Sequence, residues 1–260
     1  MTMKFKQVNL IPFLLFTSVL FGQNADTTKL IQKAHFVTIK TQFSQYKDQF
    51  NYGLVFSGVN LDLGYASMQT RGNKTTSYKC GLAIGINSNK GTGIALRIKP
   101  LDYFYGVKLE SRPITIGPYA SADYIWQLYP EIQSGHMFWF SAWEIGPKVI
   151  FKIPVKSKTL KCIFSNSLFG FTSRPKPGTE STFYSLNLID YVKFSHQNLK
   201  FGSFNNYNHS RLQLGLLNND KKRLSICYSF EYYGYYKDPK ISVIFHTLNF
   251  NFKLGKRHEN

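Results

Sequence analysis

Ser77-Tyr78-Lys79-Cys80-Gly81-Leu82-Ala83-Ile84-Gly85-Ile86 is the stretch that decides the fold. Tyr78, Cys80, Leu82, Ile84 and Ile86 fall at every second position, with Ser77, Lys79, Gly81, Ala83 and Gly85 between them. Side chains along a strand point alternately to opposite faces, so as a strand this segment has one apolar side and one small or charged side. The pattern continues outward. Ile94, Leu96 and Ile98 oppose Ala95, Arg97 and Lys99, and Leu101, Tyr103, Tyr105, Val107 and Leu109 oppose Asp102, Gly106, Lys108 and Glu110. In the second half Leu212, Leu214 and Leu216 oppose Arg211, Gln213 and Gly215, while Leu224, Ile226, Tyr228, Phe230 and Tyr232 oppose Ser225, Cys227, Ser229 and Glu231. The last such segment sets Leu248, Phe250, Phe252 and Leu254 against Thr247, Asn249, Asn251 and Lys253.

Short turn clusters separate these segments, among them Arg71-Gly72-Asn73-Lys74, Asn87-Ser88-Asn89-Lys90-Gly91, Glu110-Ser111-Arg112-Pro113 and Lys237-Asp238-Pro239. Such punctuation describes an antiparallel meander of long strands. No linker or composition break divides the body, and Arg174-Pro175-Lys176-Pro177-Gly178 reads as one exposed loop. A short helical period near Thr27 to Lys33 is the one competitor to the strand pattern.

The orientation of the two faces decides the environment. A soluble sandwich or lipocalin-like barrel buries its apolar face and turns after about 8 to 12 residues. Here the strands are longer, and the residues opposite the apolar stripe are Gly, Ala, Ser or Asn mixed with charges of both signs. That is the inverse arrangement, with lipid outside and a polar interior. Aromatic residues make up 17% of the chain. Trp139 and Trp143 share a face with Met137, Ile145, Val149 and Phe151, and Tyr124 and Trp126 end the stripe that begins at Ile114 and Ile116. Aromatic residues at strand ends suit a membrane interface.

The first 22 residues differ from the rest. Lys4 and Lys6 precede an apolar run from Leu10 to Phe21, and Gly22 closes it before the polar Gln23-Asn24. The run is shorter than the ~20 residues that span a bilayer as a helix, so it reads as a secretory signal. Its removal takes two lysines and no acid, leaving 30 basic against 14 acidic residues, a formal charge of +16. Cys80, Cys162 and Cys227 show no metal-ligand or redox spacing and read as free, packed thiols.

With the signal segment, the alternating strands across 35 to 254 and a final strand with an aromatic apolar face, the chain resembles the outer-membrane β-barrel proteins of Gram-negative bacteria. The resemblance is to the class. The terminal strand departs from the usual assembly signal: no Gly lies between Thr247 and Leu254, and Gly255 to Asn260 follow it. The expected organisation is a signal peptide (1–22), a short periplasmic segment (23–34), an antiparallel up-and-down transmembrane β-barrel (35–254) and a tail (255–260). Strands are expected at 35–46, 52–69, 75–87, 92–98, 101–110, 114–128, 137–153, 159–171, 182–195, 199–217, 223–236 and 240–254. These make a barrel of 12. Should 92–110 be one strand through Pro100, even parity removes a second, with 35–46 the one to drop, and the barrel has 10. Either is too narrow for an open porin lumen, which takes about 16 strands.

Ser and His are the residue types that could carry hydrolytic chemistry here. Asn208-His209-Ser210, Ser195-His196 and His246-Thr247 place neighbouring residues on opposite sides of a strand, out of mutual reach. Ser134-x-His136 has usable spacing but falls in a loop without an Asn or Asp orienter. No phosphate-binding glycine loop, cofactor signature or metal-ligand cluster is evident, so no catalytic residue is assigned and no cofactor is expected. By strand parity Lys79, Arg97, Lys99, Lys108, Lys148, Lys152, Arg211, Asp62, Asp102, Glu110, Glu144 and Glu231 are candidates to line the interior, as is Lys253. Opposite charges in a narrow lumen pair with each other and form a polar plug; the functional alternative is a small anion-preferring pathway. Lys90, Lys176, Lys221 and Lys222 lie in turns that suit phosphate groups of outer-membrane lipid and lipopolysaccharide. The expected function is a narrow pore or a structural or assembly component of the envelope, with the outer-membrane assembly machinery as a partner and no nucleic-acid role. A lipid-modifying enzyme and a soluble periplasmic β-barrel binding an apolar ligand are the alternatives from other classes.

Overall fold

The computed structural model describes residues 31–254 apart from 90, 111, 132–136, 157, 176–192, 194 and 219–223. The strands are β1 (Ile31–Asp48), β2 (Val55–Arg71), β3 (Lys74–Ser88), β4 (Thr92–Lys108), β5 (Ile114–Leu128), β6 (Met137–Val155), β7 (Lys158–Asn166), β8 (Phe169–Ser173), β9 (Lys200–Ser203), β10 (Tyr207–Asn218), β11 (Leu224–Tyr235) and β12 (Ile241–Lys253). Every pairing is antiparallel. The sheet runs β5-β4-β3-β2-β1-β12-β11-β10-β7-β6, and β5 pairs with β6, which closes it into a barrel of ten strands. The first and last strands meet in an unbroken register from Phe36 opposite Lys253 to Asp48 opposite Ile241.

Two further strands extend the wall. β6 pairs with β7 from Lys148 to Val155 and with β8 from Ser141 to Ile145, so β7 and β8 follow one another along the same neighbour. β8 in turn pairs with β9. The twelve segments of the sheet are thus ten staves and one short two-stranded extension.

The sheet is inverted relative to a soluble core. Leu61 is 52% exposed, whereas its neighbours Asn60 and Asp62 are 2% and 7% exposed. Val37, Ile39 and Phe43 on β1 and Leu82, Ile84 and Ile86 on β3 face outward in the same way, and Thr38, Gln42, Ser44 and Asn87 face the buried interior. Exposing an apolar belt to water forfeits roughly 25 cal/mol per Å² of burial; hydrocarbon around the belt removes that penalty. With the backbone groups of a closed sheet paired all round, the fold is a transmembrane β-barrel.

Two expected strand bounds differ in the structure, and a third expected strand falls mostly outside the described residues. The strands expected at 92–98 and 101–110 are one strand, β4, which ends at Lys108, because Pro100 sits in a register shift between Ile98 and Leu101. Proline has no amide hydrogen for the ladder, and the irregularity absorbs it. The inward face consequently changes from odd residues (Arg97) to even ones (Asp102, Phe104), which makes one strand read as two. The first strand is kept, and it starts at Ile31, within the stretch expected to precede the barrel. The segment expected at 182–195 lies mostly outside the described residues, and its described part at Ser195 is a turn. Residues 1–30 and 255–260, which hold the expected signal and tail, lie outside the described residues as well.

Candidate functional site: the barrel interior

Inward positions are not uniformly polar. At the end where β1, β5 and β11 finish and β4, β6, β10 and β12 begin, the interior is filled by Tyr46, Ala95, Ile125, Phe140, Ala142, Tyr207, Tyr233, Tyr235, Ile241, Val243 and Phe245. Above them Phe56, Tyr129 and Phe138 pack with Phe50 and Leu54. Phe50 and Phe138 stack with ring centroids 5.3 Å apart. Arg174, just beyond β8, donates from Nη2 to Oδ1 of Asp48, the last residue of β1, at 2.6 Å, with its guanidinium 5.4 Å from the Phe50 ring. Both charged side chains are buried. β1 and β8 stand on opposite sides of the ring, so this pair ties the mouth together from wall to wall.

Beneath the aromatic layer lies a belt of ion pairs. Arg97 Nε donates to Asp123 Oδ1 at 3.0 Å, and Nη2 donates to Asp123 Oδ2 and to Glu231 Oε2, both at 2.6 Å. Tyr233 donates its hydroxyl to Asp123 Oδ2 at 2.5 Å. The Arg97 guanidinium also lies 4.4 Å from the Phe245 ring centroid, a cation–π distance. Lys99 Nζ stands 3.3 Å from Asp123 and 3.5 Å from Glu231. Lys148 Nζ donates to Asp102 at 2.8 Å, and Arg211 Nη1 donates to the other oxygen of Asp102. On the β1–β2 side Lys40 holds Asp62 at 2.9 Å.

Glu144 collects a separate set of donors: Tyr119 at 3.0 Å, Ser121 at 2.8 Å, Tyr207 at 2.5 Å and His209 Nδ1 at 2.6 Å. His209 stacks on Tyr233, with centroids 3.8 Å apart, so its ring is fixed on one face and by one nitrogen. His209 is buried, while the adjacent Ser210 bonds Asn166 on the other side of the strand. Four donors on one carboxylate are what a buried, ionised Glu requires to offset lost hydration.

Of the residues picked out by parity, Asp62, Lys79, Arg97, Lys99, Asp102, Arg211 and Glu231 all line one interior cavity. Lys148 and Glu144 are buried beside it and bonded as described. Lys108 at the end of β4, Glu110 in the turn beyond it, Lys152 near the end of β6 and Lys253 at the end of β12 stay exposed and, among the described residues, join no ion pair. Their strands run past the enclosed part of the lumen. Asp123, Lys40, Lys161 and the Asp48–Arg174 pair are interior residues outside the expected set, and His209, which the sequence offers only as a catalytic candidate out of reach of Ser210, is one as well. Asp123 was legible, since it alternates with Tyr124 and Trp126 of the outer stripe. Asp48 keeps the inward parity of β1 but lies past 46, the expected end of that strand, and Arg174 lies beyond β8, where no alternation marks it.

The outer wall also has a covered part. Trp126 Nε1 donates to Ser195 at 3.1 Å, Trp139 Nε1 to Ser173 at 3.4 Å, and Tyr124 meets His196 Nε2 at 2.8 Å. These contacts lie on the outward faces of β5 and β6. Ser134 and His136 lie outside the described residues, as do Lys90, Lys176, Lys221 and Lys222. Cys80, Cys162 and Cys227 are free. Among the described residues no three His, Cys, Asp or Glu side chains gather as metal ligands would.

No protein-family model and no curated protein matches the sequence. Solved structures do align over nearly the whole chain. The translocator domain of the autotransporter NalP from Neisseria meningitidis has a TM-score of 0.44 at 9% identity, covering 94% of this chain and 95% of that one. The outer membrane protease OmpT from Escherichia coli gives 0.40 at 7% identity, covering 89% and 100%. Ail, the attachment invasion locus protein of Yersinia pestis, gives 0.31 at 12% identity, covering 86% and 99%.

Proposed function

We propose that the protein is an outer-membrane β-barrel with a sealed lumen, serving as a non-enzymatic structural element of the cell envelope. The observation that carries this reading is the ion-pair belt beneath the aromatic layer: Arg97 of β4 reaches Glu231 of β11 at 2.6 Å, with rings filling the space toward the mouth. A path for ions requires continuous water, and close-packed rings over desolvated ion pairs leave none. Lipid and lipopolysaccharide meet the apolar outer face, and the envelope's barrel-assembly machinery inserts it. Such an element acts through its rigid wall and its exposed ends.

Planar-bilayer recording of the purified mature chain tests the reading. The expected result is a silent membrane at both polarities. Reproducible unit conductance would overturn it and favour the narrow-pore alternative. Fractionation provides the second arm: the protein should require detergent for release, and recovery in the soluble periplasm would refute the membrane assignment.

A further inference from the structure

The charge balance of the lower lumen is uneven. Each buried carboxylate that borders the interior cavity is already engaged: Asp62 by Lys40, Asp102 by Lys148 and Arg211, and Glu231 by Arg97 with Lys99 close by. The bases are not exhausted by these pairings. Lys79 lines the same cavity and, among the described residues, has no ion pair within 4.0 Å; Asp102, its partner in the β3–β4 register, is held by Lys148 and Arg211 instead. Arg211 donates Nη1 to Asp102 and holds Nε 3.2 Å from Glu231, yet among the described residues its buried Nη2 has no hydrogen-bond acceptor. A guanidinium nitrogen buried without an acceptor costs more than an ordinary unmade bond, and an unpaired ammonium in a narrow lumen adds repulsion.

Nearby bases deepen the excess. Lys161 of β7 stands directly opposite Lys152 of β6 in the register, and its side chain also feels the charges of Lys79 and Lys148. Like charges facing each other across a ladder are destabilising unless a counter-charge intervenes. The fold supplies no further acid here among the described residues.

From this juxtaposition, a cavity bordered by the unpaired Lys79 ammonium and the unsatisfied Arg211 Nη2, we propose that the lower lumen is a binding site for a small tetrahedral oxyanion such as inorganic phosphate or sulfate. The cavity has a volume of about 80 Å³. A single water needs roughly 10–15 Å³ on the same measure, so the space admits several waters or one such anion. Guanidinium nitrogens match the oxygens of phosphate, and an ammonium supplies a point charge from another direction. Asn249 and Gln213 line the same cavity, but their amide nitrogens already donate to Cys227 and Ser229, so Arg211 and Lys79 are the donors the site offers. The anion supplies the acceptor that Arg211 lacks and the counter-charge that Lys79 lacks. The site goes beyond the sealed-barrel reading and does not depend on it, since a blind cavity binds as readily as a channel.

The test is calorimetric titration of the mature protein, purified in a non-ionic detergent free of phospholipid, with sodium phosphate at constant ionic strength set by sodium gluconate. Saturable binding is expected, with a phosphate-dependent rise in unfolding temperature. Lys79→Met should weaken the affinity about tenfold or more, a change of about 1.4 kcal/mol. Lys79→Arg should retain binding. Lys108→Met removes the same charge at the barrel's exposed end and should leave the affinity unchanged. No saturable heat, or equal losses for Lys79→Met and Lys108→Met, would overturn the proposal, the second outcome showing general screening. Repeating the titration with short-chain phosphatidic acid separates the sources of phosphate: binding of the lipid with none of the free ion would place the site at a headgroup and refute a lumenal one.

Discussion

Arg97 and Glu231 lie 134 residues apart in the chain and 2.6 Å apart across the barrel, a contact that only a closed sheet can make. Arg97 simultaneously holds Asp123, so one guanidinium bridges two buried carboxylates on different strands, and Lys99, 3.3 Å and 3.5 Å from them, supplies the second positive charge. Replacing a complete buried pair with apolar groups is often neutral, whereas removing one member leaves the other desolvated and alone. Arg97→Met is therefore expected to destabilise the folded barrel by about 3–5 kcal/mol, and adding Asp123→Leu should recover part of that loss. Urea unfolding in detergent micelles or vesicles measures both. If Arg97→Met leaves the midpoint unmoved, the ion-pair belt is not a structural element.

The Asp48–Arg174 pair concerns the mouth and not the wall. Asp48 Oδ1 also accepts from the amide of Phe50, so the carboxylate fixes the start of the β1–β2 turn as well as the far side of the opening. Arg174→Ala should leave the sheet intact and loosen residues 49–54, read as faster amide hydrogen exchange there with unchanged protection in β1 and β12. Equal protection of the turn in both proteins would show that the tie has no role.

Lipid contact makes a depth-dependent prediction on one face. Leu61 lies near the middle of β2 and Ile31 at the outer end of β1, both facing outward. An arginine at the bilayer midplane of such a barrel costs about 2–4 kcal/mol and about 0–1 near an interface. Leu61→Arg should accordingly destabilise the protein in vesicles far more than Ile31→Arg. Similar losses for the two substitutions would contradict a membrane-embedded belt.

The three tryptophans report on the covered part of the outer wall. Trp143 is 45% exposed, while Trp126 and Trp139 are 8% and 3% exposed beneath contacts that include Ser195 and Ser173. In vesicles with brominated acyl chains, a variant keeping only Trp143 should be strongly quenched. Variants keeping only Trp126 or Trp139 should be quenched little. Comparable quenching of all three would mean that lipid reaches the surface beneath Ser173 and Ser195.

The barrel was legible from alternation because the quantity that alternates, apolar against small or charged, is set by two different solvents on the two faces. β3 shows this most directly, with Leu82, Ile84 and Ile86 exposed and Ala83, Gly85 and Asn87 buried. Legibility failed where parity changed within a strand, as at Pro100, and where both faces are mildly polar, as at Thr38 to Gln45 of β1. It failed again at the mouth end of the interior. Val243, Phe245, Tyr233 and Phe140 point inward although they are apolar or aromatic, because there the lumen is filled by packing and not by water. Periodicity cannot separate an inward aromatic from an outward one where both faces carry rings. The partnerships inside, such as Glu144 with His209, depend on which strands stand across from each other and are invisible to any local pattern.

The seam between β1 and β12 has a consequence for the life of the chain before it reaches its membrane. Thirteen residue pairs join the two strands, from Phe36 with Lys253 to Asp48 with Ile241, and each unites the two ends of the barrel sequence. Until β12 has been delivered, β1 presents a long row of unsatisfied amides and carbonyls, open to any passing strand. Contacts so distant in sequence form late and slowly. Closure is thus an event that waits for the last strand, and until then the chain is an open-edged species prone to pair with other strands.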